Sequence, residues 1–100
     1  MRIYIAGPVT GKPDLNRPAF ESAAVCLEAA GHTPIVPHWF VPPYAEWQTA
    51  MRRSIETLVK CDGVALLPGW QGSKGARIER SLALDLGMDV REILEWMERK

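Results

Sequence analysis

A glycine-rich turn followed by a helix holds the residues whose types and spacing best suit chemistry. The stretch Gly69-Trp70-Gln71-Gly72-Ser73-Lys74-Gly75 comes directly after Val64-Ala65-Leu66-Leu67, an apolar run typical of a buried parallel strand. Ser73 suits the N-cap of the next helix, and Gly72 and Gly75 let the backbone come close to a ligand. Free N–H groups and the helix dipole favour an anion there. The stretch therefore predicts an anion site at this turn.

Glu79 is the sharper signal, because it lies less than two turns beyond the predicted anion site. At about 100° per residue it falls inside the apolar stripe that contains Ala83 and Leu86. A carboxylate is seldom placed on a core-facing stripe unless it is paired or used in chemistry. One interpretation is a buried ion pair with Arg2 or Arg77. The other, which its place at the ligand-binding end of a strand favours, is a carboxylate that attacks or stabilises a sugar carbon with oxocarbenium character.

The elements that must position these residues alternate along the chain. A first strand is predicted at Arg2–Ala6, and it runs into a glycine- and proline-containing loop that is longer than most strand-to-helix loops. The further predictions are short strands at 33–36 and 88–90, and helices at about 18–30, 45–60, 74–87 and 91–100. This alternation predicts an α/β fold, an open parallel sheet of about four strands with helices on both faces. The first strand should lie beside the third, so that both glycine-rich loops meet at one crevice.

The segment Pro37–Tyr44 joins the second strand to the second helix and is rich in proline and aromatic residues. That composition indicates a lid, a pocket wall or a subunit contact rather than a solvated linker. His38 in this segment is a candidate for acid–base work, but a lone loop histidine more often only makes hydrogen bonds.

Composition limits the class of protein. One hundred residues predict a single domain over residues 1–100, and twelve basic against twelve acidic residues give no polybasic surface for nucleic acid or membrane. No apolar run approaches the ~20 residues of a membrane helix, and no signal segment precedes the first strand. Cys26 and Cys61 lack CxxC spacing and are interpreted as buried thiols. We therefore expect a cytoplasmic protein.

Several kinds of site are excluded by missing motifs. Neither the P-loop pattern nor GxGxxG occurs, and no His/Cys/Asp cluster has metal-ligand spacing, so we expect no metal and no cofactor. Ser73 is a weak candidate nucleophile, because the G-x-S-x-G elbow is missing and capping already accounts for this serine.

Nearly the whole chain resembles one family. The residues that carry the likeness are Tyr4-Ile5-Ala6-Gly7-Pro8, Thr10-Gly11, Asn16-Arg17-Pro18-Ala19-Phe20, and Leu67-Pro68-Gly69-Trp70 with Ser73, Gly75-Ala76 and Glu79. They are similar to the often phage-borne DUF4406 domains of the nucleoside 2-deoxyribosyltransferase-like superfamily. The resemblance implies a small flavodoxin-like or Rossmann-like fold and cleavage of N-glycosidic bonds in nucleosides or nucleoside monophosphates.

The resemblance also implies roles for individual residues. Glu79 matches the nucleophile, Ser73 a serine that holds the 5′-phosphate, and Tyr4, Gly7 and Pro8 the loop that lines the sugar pocket. Substrate contacts are expected as well from Gly69, Trp70 and Gly75. The second carboxylate of the transferases has no clear match, and Asp14 is the candidate. Active sites of the superfamily are commonly completed by a neighbouring subunit, which implies a homodimer or larger homo-oligomer.

Two hypotheses of function follow. The first is an N-glycosidase or deoxyribosyltransferase that works through Glu79, and the glutamate in the apolar stripe favours it. The second is a non-catalytic nucleotide-binding or sensing module on the same scaffold, which the missing second acid favours.

Overall fold

A computed structural model describes residues 1–98, which form one four-stranded sheet covered by helices on both faces. The strands are β1 (Arg2–Ala6), β2 (Thr33–Ile35), β3 (Gly63–Leu66) and β4 (Asp89–Glu92). The helices are α1 (Arg17–Ala29), α2 (Trp47–Leu58), α3 (Lys74–Asp85) and α4 (Ile93–Met97), and short 3₁₀ turns lie at Pro13–Asn16, Pro37–Trp39 and Trp70–Gly72. This is the predicted α/β class.

The strand order is β2-β1-β3-β4, with all neighbours parallel. The prediction that β1 lies beside β3 is therefore confirmed. The two strands pair from Ile3 opposite Gly63 to Ala6 opposite Leu66, so their carboxyl ends leave the sheet side by side. Both glycine-rich loops begin at this edge.

Alternation along β1 divides the core into two layers. Ile3 and Ile5 face α1 and α4 and pack with Phe20, Leu27 and Trp96. Tyr4 and Ala6 point to the opposite face, in a cluster with residues of α2, β3 and α3. Tyr4 is fully buried. The strand pleat therefore turns this tyrosine toward the helix that carries Glu79.

The C-terminal part differs from its prediction. The fourth strand covers Asp89–Glu92 rather than 88–90, and the final helix covers Ile93–Met97; the end of the predicted 91–100 helix lies outside the described residues. Leu94 and Met97 of this helix are exposed. Trp96 is buried instead, where its indole N–H donates to the Val64 carbonyl at 2.9 Å. No helix among residues 1–98 is both long and apolar enough to span a membrane.

Close packing of the two glycine-rich loops holds the edge together. A Cβ added to Gly7 would lie 2.8 Å from Leu67 Cβ, so no larger residue fits without a shift of one loop. Gly69 has φ +88°, and a Cβ there would meet Pro8 of the first loop at 3.5 Å. Glycine at these positions lets the loop after β1 touch the loop after β3.

Gly7→Ala should therefore destabilise the protein by about 1–3 kcal/mol, because the added methyl overpacks the contact with Leu67. Urea denaturation followed by circular dichroism measures the change. Gly72→Ala is the matched control, since nothing lies within 4 Å of a Cβ at that position. Equal stability of the two variants would contradict the packing role of Gly7.

Candidate active site

Helix α3 begins where the sequence predicts. The Ser73 side chain accepts a hydrogen bond from the Ala76 N–H at 3.2 Å, which confirms Ser73 as the N-cap. The buried face of the helix consists of Ala76, Glu79 and Ala83. Leu86, assigned above to the apolar stripe, is 54% exposed because the helix ends at Asp85. Glu79 thus lies at the middle of the buried face rather than in a wider apolar arc.

Glu79 is 5% exposed and is bound by a tyrosine rather than by a cation. The Tyr4 hydroxyl donates a hydrogen bond of 2.6 Å to Glu79 Oε2. Arg77 points away, with its guanidinium donating to the Gln71 carbonyl at 2.8 Å. The ion pairs found within residues 1–98 involve neither Glu79 nor the two arginines considered for it. The ion-pair interpretation of Glu79 was therefore wrong.

Burial sets the ionisation of this carboxyl group. Desolvation raises the pKa of Glu79 to about 7, while the hydrogen bond from Tyr4 acts in the opposite direction by stabilising the carboxylate. Burial also raises the pKa of Tyr4 well above its usual range, and the adjacent Glu79 raises it further. Tyr4 therefore stays protonated and is the donor of the hydrogen bond to Glu79. Glu79 can gain or lose a proton near neutral pH, which suits acid–base or nucleophilic work.

Tyr4 and Glu79 lie in the wall of a cavity of about 300 Å³. This volume lies at the lower end of the range for small-molecule sites. Most of the wall is apolar, with Phe20, Val41 and Met51 among its residues. Glu79 is thus a carboxylate at the side of an apolar pocket that a ligand can enter.

A second cavity, of about 330 Å³, adjoins the first at the N-terminus of α3. The two share Val9, Thr10, Trp47, Ser73 and Gly75, so they are adjoining parts of one crevice. The second cavity is also lined by Lys12 and Lys74 and by no acidic residue. Two lysines and the first turn of a helix give this end a positive potential, as an anion site requires.

The crevice brings together most of the residues predicted from the sequence. Tyr4, Gly7, Ser73, Gly75 and Glu79 line the first cavity. Pro8 and Gly69 line the second, together with Ser73 and Gly75. Their roles toward a substrate stay predictions, but the common location follows from the β1–β3 pairing on which the sequence argument depended.

Two predicted residues lie outside the lining of both cavities. Asp14 is exposed on the loop after β1, in a run of three residues with positive φ. Trp70 packs against the α2–α3 side of the core, with the Arg80 guanidinium 4.8 Å above its ring. The structure therefore gives neither residue a substrate contact in the conformation described.

Helix α2 contributes lining residues that sequence reasoning missed. Trp47, Met51 and Ser54 line the first cavity, and none of them was a candidate site residue in the sequence analysis. Ser54 is only 6% exposed and lies near Tyr4, whose pKa its hydroxyl lowers against the larger effect of burial. The sequence does contain a signal for Ser54, because this serine interrupts the apolar stripe between Met51 and Leu58 in the way that Glu79 interrupts the stripe on α3.

The proline-rich segment forms the outer wall of the crevice. Pro37, His38, Val41, Pro42 and Pro43 line the first cavity, so the pocket-wall interpretation is confirmed. Trp39 and Tyr44 of the same segment are 55% and 87% exposed. They are free to contact another subunit, and the expected homo-oligomer stays a prediction.

The chain matches a known domain family and is similar in fold to a solved structure. A family model described as "Domain of unknown function (DUF4406)" matches residues 1–92. A solved structure described as a 2-desoxiribosyltransferase from Leishmania mexicana superposes with a TM-score of 0.72 at 19% sequence identity. That match covers 91% of this chain and 62% of the other, so the chain spans less than two thirds of its neighbour. A comparison with curated proteins gave no match.

No group of three or more His, Cys, Asp or Glu side chains in residues 1–98 is arranged to hold a metal ion.

The raised pKa of Glu79 makes stability depend on pH. The folded protein keeps the Glu79 proton up to about pH 7, whereas the unfolded chain releases it near pH 4.5. The stability that comes from the neutral carboxyl is complete below pH 4.5 and is lost as the pH rises through 7. Across that interval the loss amounts to about 3 kcal/mol.

Glu79→Gln should remove this loss, because glutamine keeps the shape and the acceptor for Tyr4 but never carries a charge. We expect the variant to be more stable than the parent at pH 8 and about equal to it at pH 5. Melting temperatures at the two pH values measure the difference. Asp85→Asn, at an exposed carboxylate on the same helix, is the control. A Glu79→Gln variant that melts far below the parent at both pH values would mean that Glu79 holds a structural partner.

Proposed function

The chain belongs to the DUF4406 domain family, and we propose that it breaks the N-glycosidic bond of a nucleoside or nucleoside monophosphate with Glu79 as the nucleophile. The observation that carries the proposal is a buried carboxylate in the wall of an apolar cavity, bonded to a tyrosine rather than to a cation. The structural neighbour named for deoxyribosyl transfer supports it through the shared fold.

The cavity offers the groups that the first chemical step requires. A Glu79 carboxylate oxygen forms a bond to C1′ of the sugar as the bond from C1′ to the base nitrogen breaks, and the bonding pair leaves with the base. The Tyr4 hydroxyl donates to Oε2 of the carboxylate and so leaves Oε1 free to attack. Tyr4 thereby orients the nucleophile and stabilises its ionised form.

The remainder of the crevice fits the other parts of such a substrate. The apolar wall from α1, α2 and the proline-rich segment suits the flat faces of a base. The cavity at the start of α3, with Lys12 and Lys74, suits a 5′-phosphate. A sugar between them would lie against Tyr4 and Glu79, which belong to the first cavity, and against Ser73, which belongs to both.

The acceptor of the second step distinguishes a hydrolase from a transferase. The departed base takes up a proton from the solvent. Water attacking C1′ of the glycosyl-enzyme gives a proton back to the solvent and releases the free sugar, whereas a second base attacking C1′ loses its ring N–H proton and forms a new nucleoside. In both cases the electron pair of the ester bond returns to Glu79. The first step is common to both routes. A module that binds nucleotides without cleaving them is the alternative, and the absence of a second carboxylate from the described cavity lining favours it.

Free-base release from a panel of nucleosides, deoxynucleosides and their 5′-monophosphates tests the proposal. The parent should release base from at least one substrate, at a rate that rises with pH as Glu79 ionises near pH 7. Glu79→Gln should lower that rate by several orders of magnitude, because the covalent route is lost. Chromatography of the free base provides the measurement.

Asp85→Asn serves again as the control and should retain the parent rate. Tight binding of a nucleotide by the parent without release of base would establish the binding module instead. A fully active and stable Glu79→Gln variant would place the chemistry on another residue.

Ser73 should contribute to a preference for phosphorylated substrates. Its oxygen accepts from the Ala76 N–H, which leaves its own proton free to donate to a phosphate. We expect a nucleoside monophosphate to bind more tightly than its nucleoside, and Ser73→Ala to reduce that preference by about 1–2 kcal/mol. Isothermal calorimetry with both ligands measures it.

Ser81→Ala, an exposed serine on the same helix, is the matched control and should keep the preference. Because Ser73 is also the cap of α3, melting temperatures must accompany the calorimetry. Equal affinity of the parent for the two ligands would leave Ser73 as a helix cap alone.

A further inference from the structure

We propose that the base-binding end of the crevice selects its ligand by shape and apolar surface rather than by the polar groups on the edge of the base. The inference deepens the proposed function and rests on it for the nature of the ligand, a base attached to a sugar. It assigns the substrate class as nucleosides whose base has an apolar edge. The base-binding end is the part of the first cavity whose residues do not also line the second.

The polar side chains of the base-binding end belong, among residues 1–98, to Tyr4, His38, Ser54 and Glu79. The Tyr4 hydroxyl donates to Glu79 Oε2 at 2.6 Å. The Ser54 hydroxyl forms a hydrogen bond with Tyr4, which lowers the pKa of the tyrosine against the larger effect of burial. Tyr4, Ser54 and Glu79 therefore interact with one another, and the carboxylate oxygen that Tyr4 leaves free is assigned to the sugar.

His38 is the other polar side chain of this end, and it is part of the wall. Its Nε2–H donates to the Leu15 carbonyl at 2.7 Å. The ring packs on Phe20, with 4.6 Å between the ring centroids. The second ring nitrogen, Nδ1, is buried and has almost no accessible surface, so a ligand in the cavity does not touch it. His38 thus offers a base no polar side-chain atom.

Backbone groups of the proline-rich wall are also unavailable to a ligand. Pro37, Pro42 and Pro43 line the cavity and have no backbone N–H. The Val41 N–H donates to the Pro37 carbonyl at 2.9 Å, and the N–H of the adjacent Ala45 donates to the Pro42 carbonyl at 3.1 Å. Backbone N–H and carbonyl groups commonly orient the ligand in small-molecule sites. In this wall they are missing or bonded to one another.

Helices α1 and α2 add apolar side chains to the same end, from Phe20, Ala50 and Met51. The basic side chains of the crevice, Lys12 and Lys74, line the second cavity instead. The crevice is therefore divided into a charged end and an apolar end.

An apolar base-binding end has a defined consequence for affinity. A polar group of the ligand that leaves water and finds no partner costs free energy, whereas a methyl group of similar size gains from burial. A site built to hydrogen-bond an amino group does the reverse and rejects the analogue that lacks it. The two kinds of site therefore give opposite preferences for two ligands of matched shape.

Adenine and 6-methylpurine are such a pair, because one has an amino group where the other has a methyl group. NMR titration of the parent protein measures both dissociation constants, and neither free base contains a glycosidic bond that could be cleaved during the measurement. We expect 6-methylpurine to bind at least about fivefold more tightly than adenine, because the buried amino group would be left without a partner. A smaller ratio, or a preference for adenine, overturns the inference.

Ala50→Leu shows whether the bases bind at this end of the crevice. The larger side chain occupies part of the cavity of about 300 Å³. It should weaken the binding of both bases by about tenfold or more, because the ligand then overpacks the site. Thr49→Leu is the matched control, at an exposed position of the same helix outside both cavity linings, and should leave both dissociation constants unchanged.

Unchanged binding in Ala50→Leu would place the bases elsewhere and overturn the inference. If that variant does not fold, the ratio measured on the parent still decides. Release of base from nucleosides by a parent without the expected preference would overturn the inference and retain the proposed function. The expected preference without release of base from any substrate would overturn the enzyme and retain an apolar base-binding end in a binding module.

Discussion

The buried hydrogen bond from Tyr4 to Glu79 is the interaction on which the rest of the site depends. It joins the central strand β1 to helix α3 across one face of the sheet, with 2.6 Å between the two oxygens. Burial raises the pKa of Glu79 to about 7, and the tyrosine opposes that rise by stabilising the carboxylate. Without this donor the carboxylate would lie unpaired in an apolar wall, where ionisation would cost more free energy. The bond thus orients the carboxyl group and opposes the rise in its pKa that burial causes.

Sheet topology brings the rest of the crevice to that bond. Pairing of β1 with β3 sets the two glycine-rich loops side by side, and Gly7 lets them touch at Leu67. The same edge places the first turn of α3, with its free N–H groups, next to the cavity that contains Glu79. The predicted anion site and the Glu79 carboxylate are therefore carried by one helix, which also contributes Ser73 to both cavities.

Much of this arrangement could be predicted from the sequence, because local signals and topology agreed. The apolar run before Gly69 and the glutamate in the apolar stripe identified β3, α3 and the crevice.

Details that depend on tertiary packing could not be predicted. The partner of Glu79 is Tyr4, 75 residues away in sequence, and only the pleat of β1 decides that its hydroxyl faces α3. Nothing in the local sequence of Trp96 shows the Val64 carbonyl that its indole N–H reaches. Asp14 was chosen for its charge, but the loop geometry leaves it exposed.

A trapped covalent intermediate tests the central role of Glu79 most directly. A nucleoside whose sugar carries a 2′-fluorine in the arabino configuration forms the glycosyl-enzyme but slows its breakdown, because the fluorine destabilises positive charge at C1′. Intact-protein mass spectrometry should then show the added mass of one fluorosugar, and peptide mapping should place it on Glu79. The adduct should disappear in Glu79→Gln. Release of base by the parent with no adduct, or an adduct on another residue, would contradict Glu79 as the nucleophile.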